Sequence, residues 1–91
     1  MTNREMLADM GYEDSIVFEN PDYDDAIVGV SEDDRVIYDF DLMVRCLMAE
    51  DDMTEPEAIE FIEYNTLRSL PFAGDGAPIV MYGLDYRGEG V

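Results

Sequence analysis

Apolar and polar positions change their spacing twice along this chain. Between residues 15 and 40 the apolar residues come as short β-branched and aromatic runs separated by polar turns, which is the pattern of strands. Residues 15–19 (SIVFE) predict a first strand, residues 26–30 (AIVGV) a second and residues 35–40 (RVIYDF) a third. Asn20, Pro21 and Asp22 mark the turn after the first. Ser31, Glu32, Asp33 and Asp34 form a polar connection of hairpin length between the second and third. Within the third, Val36, Tyr38 and Phe40 fall on one face and Ile37 and Asp39 on the other.

From residue 41 the period becomes helical. Residues 41–50 place Leu42, Met43, Cys46 and Leu47 on one stripe. Asp39 or Asp41 can cap that helix and also suits the positive end of its dipole. Asp51 and Asp52 follow at its C-terminal end, where the dipole disfavours acid. Thr54, Pro56 and Glu57 have the spacing of a capping box with proline in the first turn. The helix they open is predicted over residues 55–69, with Ala58, Ile59, Ile62, Thr66 and Leu70 inward, and Pro71 ends it. Residues 78–82 (PIVMY) return to the strand pattern. A short helix over residues 3–10, closed by Gly11, precedes everything else.

These elements predict an α+β fold: a small, mostly antiparallel sheet of about four strands with two helices packed on one face. The fourth strand pairs beside the first or the third, and the pattern does not choose. The whole chain reads as one domain, residues 1–91, with residues 1–12 and 83–91 loosely ordered.

Charge changes the picture most. The chain has 91 residues, 23 of them acidic and five basic, a net charge of −18. All five cations are arginine; lysine, histidine and tryptophan are absent. Lysine Schiff bases, histidine general bases and a basic nucleic-acid footprint are thereby excluded. With 47 % hydrophobic residues the chain has the apolar content for a core, unlike a disordered acidic tail. The mass scaling gives a surface of roughly 5,400 Å², or about one acid per 230 Å², against about one phosphate per 110 Å² on B-DNA. Acids crowded onto half of the surface would match that density.

The single cysteine, Cys46, sits among apolar residues and reads as a small core side chain. It implies no disulfide and no oxidising compartment. Residues 1–10 lack a signal-peptide pattern and no apolar run is long enough to span a membrane, so a cytoplasmic location is expected. Asn20, Asp22 and Asp24 alternate like the first ligands of a calcium loop. Asp25 then stands where glycine is needed and Ser31 where glutamate is, so the expectation is a solvated turn, with no metal and no cofactor. Gly74 and Gly76 flank Asp75 with no lysine, so no phosphate loop forms. The expectation is a protein that is not an enzyme.

The acids form four groups: Asp22, Asp24 and Asp25; Glu32, Asp33 and Asp34; Asp51 and Asp52; and Glu55, Glu57, Glu60 and Glu63 along the last helix. On the last helix they repel at spacings of three and four residues, with no cation to offset them before Arg68. A positively charged partner is one reason for a protein to keep such a surface. Two others need no partner: adaptation to high salt, or a genome composition that favours arginine over lysine.

Residues 54–72, TEPEAIEFIEYNTLRSLPF, followed by PIVMY and preceded by VIYDFDLMVRCLM, resemble a type of small acidic protein found in phages and prophages of bacteria. The resemblance covers roughly residues 14 to 82. It implies a protein of the host–phage conflict of the anti-CRISPR kind, some of which resemble nucleic acid electrostatically and occupy an effector's DNA-binding surface. The expectation is then a stoichiometric inhibitor in the cytoplasm of a bacterial host. Its partner would be a basic nucleic-acid-binding protein such as a CRISPR effector, with no direct contact to nucleic acid or membrane. The contact residues expected are Asp22, Asp24, Asp25, Glu32, Asp33, Asp34, Glu57, Glu60 and Glu63, with Tyr23 and Tyr64 as aromatic anchors. The alternative is a small structural or regulatory phage protein that self-associates.

Overall fold

A computed structural model describes residues 2–19 and 22–84. Its elements are α1 (Asn3–Asp9), a 3₁₀ turn (Asp24–Ala26), β1 (Ile27–Val30), β2 (Val36–Asp39), α2 (Phe40–Glu50), α3 (Glu55–Phe61), a π-helical stretch (Ile62–Leu67), a second 3₁₀ turn (Leu70–Phe72) and β3 (Ile79–Met81). The fold is α+β, but among the described residues the sheet has three strands and is mixed. β1 and β2 form an antiparallel hairpin, and β3 lies parallel to β2 with Ile37 opposite Ile79 and Asp39 opposite Met81. The connection from β2 to β3 carries both long helical segments. It is long enough for the chain to return to the neighbouring position in the same direction, which a parallel pair requires.

Residues 15–19 are not a strand. The Phe18 N–H donates to Tyr38 Oη at 3.0 Å and the Phe18 carbonyl accepts from Arg4 Nη2 at 2.9 Å. Side chains thus satisfy the groups that a ladder would use, and the Phe18 ring packs on Tyr38 with centroids 4.6 Å apart. The segment is a strap held over the buried face of the hairpin. Asn20 and Pro21, assigned above to a turn, lie outside the described residues, as do residues 85–91 of the tail.

The predicted alternation holds from β2 into the first residue of α2: Val36, Tyr38 and Phe40 are buried, while Ile37 and Asp39 are half-buried. Asp39 caps α2 by accepting from the Leu42 N–H at 3.1 Å, and Asp41 pairs instead with Arg45 one turn on. Met43, Val44 and Leu47 carry α2 into the core. α2 packs on β2, and α3 packs on α2. Both α1 and α3 open on complete capping boxes, Thr2 with Glu5 and Thr54 with Glu57.

The long helix changes form at Ile62. Ala58, Ile62 and Thr66, spaced by four residues, are all buried, as the helical stripe predicts. The Asn65 side-chain amide donates to the Phe61 carbonyl at 3.1 Å, a local bond within the altered turn. Thr66 Oγ1 is hydrogen-bonded to Tyr23 Oη at 2.9 Å inside the core.

Candidate acidic interface

Tyr23 is not an exposed anchor. It is 1 % exposed, it has the left-handed φ of 49°, and its ring meets Phe18 edge-on. The turn that makes Asp22 and Asp25 project outward is the turn that drives Tyr23 inward, so neighbouring residues take opposite roles. Asp24 is half-buried and held by Arg4 at 2.9 Å; burial pushes its carboxyl up and the Arg4 guanidinium pulls it back. The remaining expected contacts, Asp22, Asp25, Glu32, Asp33, Asp34, Glu57, Glu60, Glu63 and Tyr64, are exposed.

The structure divides these acids rather than gathering them. Glu32, Asp33 and Asp34 sit at the tip of the β1–β2 hairpin, one strand length from the 3₁₀ turn. There Asp34 Oδ1 accepts from Tyr12 Oη at 3.0 Å and Asp33 accepts from Ser31 Oγ. Asp22 belongs elsewhere. With Glu19, Glu50 and Asp51 it lines a recess of about 240 Å³ whose floor includes Tyr23, Cys46 and Leu47. Glu57, Glu60 and Tyr64 line a groove of about 330 Å³ along α3, together with Met53, Phe61 and Asn65.

A cleft of about 330 Å³ joins the two. It runs between the strap and the π turn and is lined by Ile16, Phe18, Phe61 and Leu70, among others. Glu19 and Tyr23 belong to both the cleft and the recess; Phe61 and Asn65 belong to both the cleft and the groove. Together the three adjoining depressions form a band with acids at both ends and a mainly apolar lining between them. No arginine is among the described residues lining it.

The sequence pattern missed Glu19, Glu50 and Asp51 as members of this band. One signal was present: Asp51 stands at a helix C-terminus, where the dipole makes an acid unfavourable. Which acids would face it across space depends on the 3₁₀ turn packing against α2.

Comparison with protein-family models, curated proteins and solved structures gives no match. The residues themselves therefore carry the functional argument. The surface measures 6097 Å², about 265 Å² per acid, so an even spread falls more than twofold short of the phosphate density of DNA. Only local crowding, as in the recess, approaches it. Among the described residues no three cysteine or acidic side chains are grouped to hold a metal ion. No described helix is long and apolar enough to cross a membrane.

Cys46 reports on the recess. Burial pushes its thiol up to about 11, and the charges of Asp25, Glu50 and Asp22 push in the same direction. Against the ordinary value of 9.0 this lowers the thiolate fraction near neutral pH about a hundredfold. Iodoacetamide at mildly alkaline pH is expected to alkylate Cys46 about a hundredfold more slowly in the folded protein than after unfolding in urea. Equal rates in the two states would contradict the burial and the acid placement together.

The uncompensated charge has a stability consequence as well. Among the described residues Arg4, Arg35 and Arg45 form three ion pairs, and that of Arg35 with Asp33 is long at 3.8 Å. Raising NaCl from about 0.02 to about 0.5 M shortens the screening length from ~20 to ~4 Å and should raise Tm. A flat or falling Tm would mean that the acids are better compensated than their positions indicate. A rise that continues into molar KCl, with unfolding at low salt, would identify the acidity as a high-salt adaptation.

Proposed function

We propose that this protein is a stoichiometric inhibitor, acting by binding and without catalysis, that presents its acid-ended band to the cationic channel of a nucleic-acid-binding protein. The observation that carries this reading is the band itself. Carboxylates from three separate chain segments line its two ends, and no arginine is among the described residues that line them. Arginines of a partner channel meet carboxylates in bidentate geometry much as they meet phosphates. The resemblance to small acidic phage proteins makes a CRISPR effector in the bacterial cytoplasm the specific case. The contacts on this face are Asp22, Glu57, Glu60 and Tyr64, joined by Glu19, Glu50 and Asp51.

The test is DNA binding by a purified CRISPR effector with the protein titrated in. Inhibition that saturates at one protein per effector, and weakens as salt rises, supports the reading. Absence of inhibition across effector types removes the anti-CRISPR assignment, and a pull-down from a bacterial host then identifies whether any other cationic protein is held.

A second reading, a self-associating structural or regulatory phage protein, is favoured by Phe72 and Leu84, which are 89 % and 94 % exposed. Sedimentation distinguishes it: a monomer at every salt concentration argues against self-association.

A further inference from the structure

The apolar cleft at the middle of the band has a shape and size that the acidic ends do not explain. Its walls are the strap, through Ile16 and Phe18, and the π turn with its exit, through Phe61 and Leu70. At about 330 Å³ it falls at the small end of the range for specific pockets, enough for one large side chain. Both walls are held in place by bonds that do not depend on an occupant. The strap is tied by Phe18 to Tyr38 and Arg4, and the π turn by Thr66 to Tyr23 and by Asn65 to the Phe61 carbonyl. A preformed pocket binds without an ordering cost of its own.

Charge selects the occupant. Glu19 stands at one end, backed by Asp22, Glu50 and Asp51, and the groove with Glu57 and Glu60 opens from the other. A second copy of the chain is unsuitable, because each copy carries a net charge of −18. We infer that the cleft receives a single large apolar side chain, aromatic or leucine, from a protein segment that carries arginine or lysine on both sides of it. This deepens the proposed function and rests on it: the acids steer a cationic segment to the band, and the cleft chooses which segment binds. The anchor is a central, desolvated contact, the position where binding energy concentrates in protein interfaces.

The test uses the full chain, isotope-labelled, titrated with three capped five-residue peptides at about 0.1 M NaCl. The first has phenylalanine between two pairs of arginines. The second replaces the phenylalanine with alanine, and the third replaces the four arginines with serines. The first peptide is expected to bind about tenfold more tightly than either of the others, with the largest amide shifts at Ile16, Phe18, Asn65 and Leu70. A chain with Ala73→Phe, an exposed change at the mouth of the cleft, is expected to bind the first and second peptides equally while keeping the unoccupied spectrum elsewhere. Equal binding of the first two peptides by the natural chain overturns the cleft inference and leaves the acidic reading standing. Equal binding of the first and third overturns the cationic occupant and removes support from the acidic reading with it. Shifts confined to the hairpin tip, or no binding of any peptide, also overturn the inference.

Discussion

Asp22→Lys combined with Glu60→Lys is expected to abolish inhibition of a cationic partner, while Glu32→Lys combined with Glu63→Lys leaves it nearly intact. The two variants change net charge by the same amount. They differ in where the charge sits. Asp22 lines the recess and Glu60 lines the groove, at opposite ends of the band, whereas Glu32 is at the hairpin tip and Glu63 lines none of the three depressions described. Removing one charge of a desolvated pair costs about 2–5 kcal/mol, so the first variant should lose at least about a hundredfold in affinity. The control should mainly slow association, by a few-fold, through the weaker long-range field. Neither variant should unfold, because all four side chains are exposed and the relief of like-charge repulsion offsets the one exposed bond lost, from the Asp24 N–H to Asp22 Oδ1. Glu57 is left alone because its carboxylate accepts from the Thr54 N–H and holds the start of α3. The assay is DNA binding by the partner with each variant at equal concentration. Equal inhibition by both variants would show that the acids act through total charge and that the band is not the interface.

Tyr23→Ala is expected to cost about 3–5 kcal/mol, the range for deleting a buried aromatic ring. A domain of this size has only about 5–15 kcal/mol in all, so the variant should be largely unfolded by modest heating or low urea. The loss is large because Tyr23 joins parts of the chain that have few other ties. Its ring packs edge-on against Phe18 of the strap and its hydroxyl bonds Thr66 of the π turn. Tyr23→Phe tests the hydroxyl separately. It strands the buried Thr66 Oγ1 and should cost about 1–3 kcal/mol. Adding Thr66→Val removes both partners of that bond and should recover much of the loss, which a double-mutant cycle from urea melts would show as a favourable coupling. Additive costs would mean that the hydroxyl bond contributes nothing and that Tyr23 matters only as a ring.

These two expectations separate what was legible in the chain from what was not. Local rules are strong where a residue's partner lies within one turn or one hairpin. The capping box of Thr54 and Glu57, the Asp39 cap, the buried face of Val36, Tyr38 and Phe40 and the hairpin, whose connection is five residues (31–35) against the four expected, all follow from such spacing, and all are present. The α+β class follows from them. Residues 15–19 have the composition of a strand, yet Tyr38 and Arg4 capture the Phe18 backbone groups and hold it as a strap. No local pattern encodes a hydrogen bond twenty residues away. The parallel pairing of β3 and the change to a π turn at Ile62 are likewise fixed by what the chain meets after it returns.

The candidate interface divides in the same way. Composition alone determined that the surface is acidic and that histidine- and lysine-based catalysis is absent, because net charge and missing residue types do not depend on the fold. Which carboxylates stand together was decided by tertiary packing. The 3₁₀ turn docks on α2 and brings Asp22 to Glu50 and Asp51; the same turn buries Tyr23 and leaves the hairpin acids a strand length away. The apolar cleft has no signature along the chain at all. Its walls come from residues some fifty positions apart, and only the closing of the strap over the π turn makes a cavity of them.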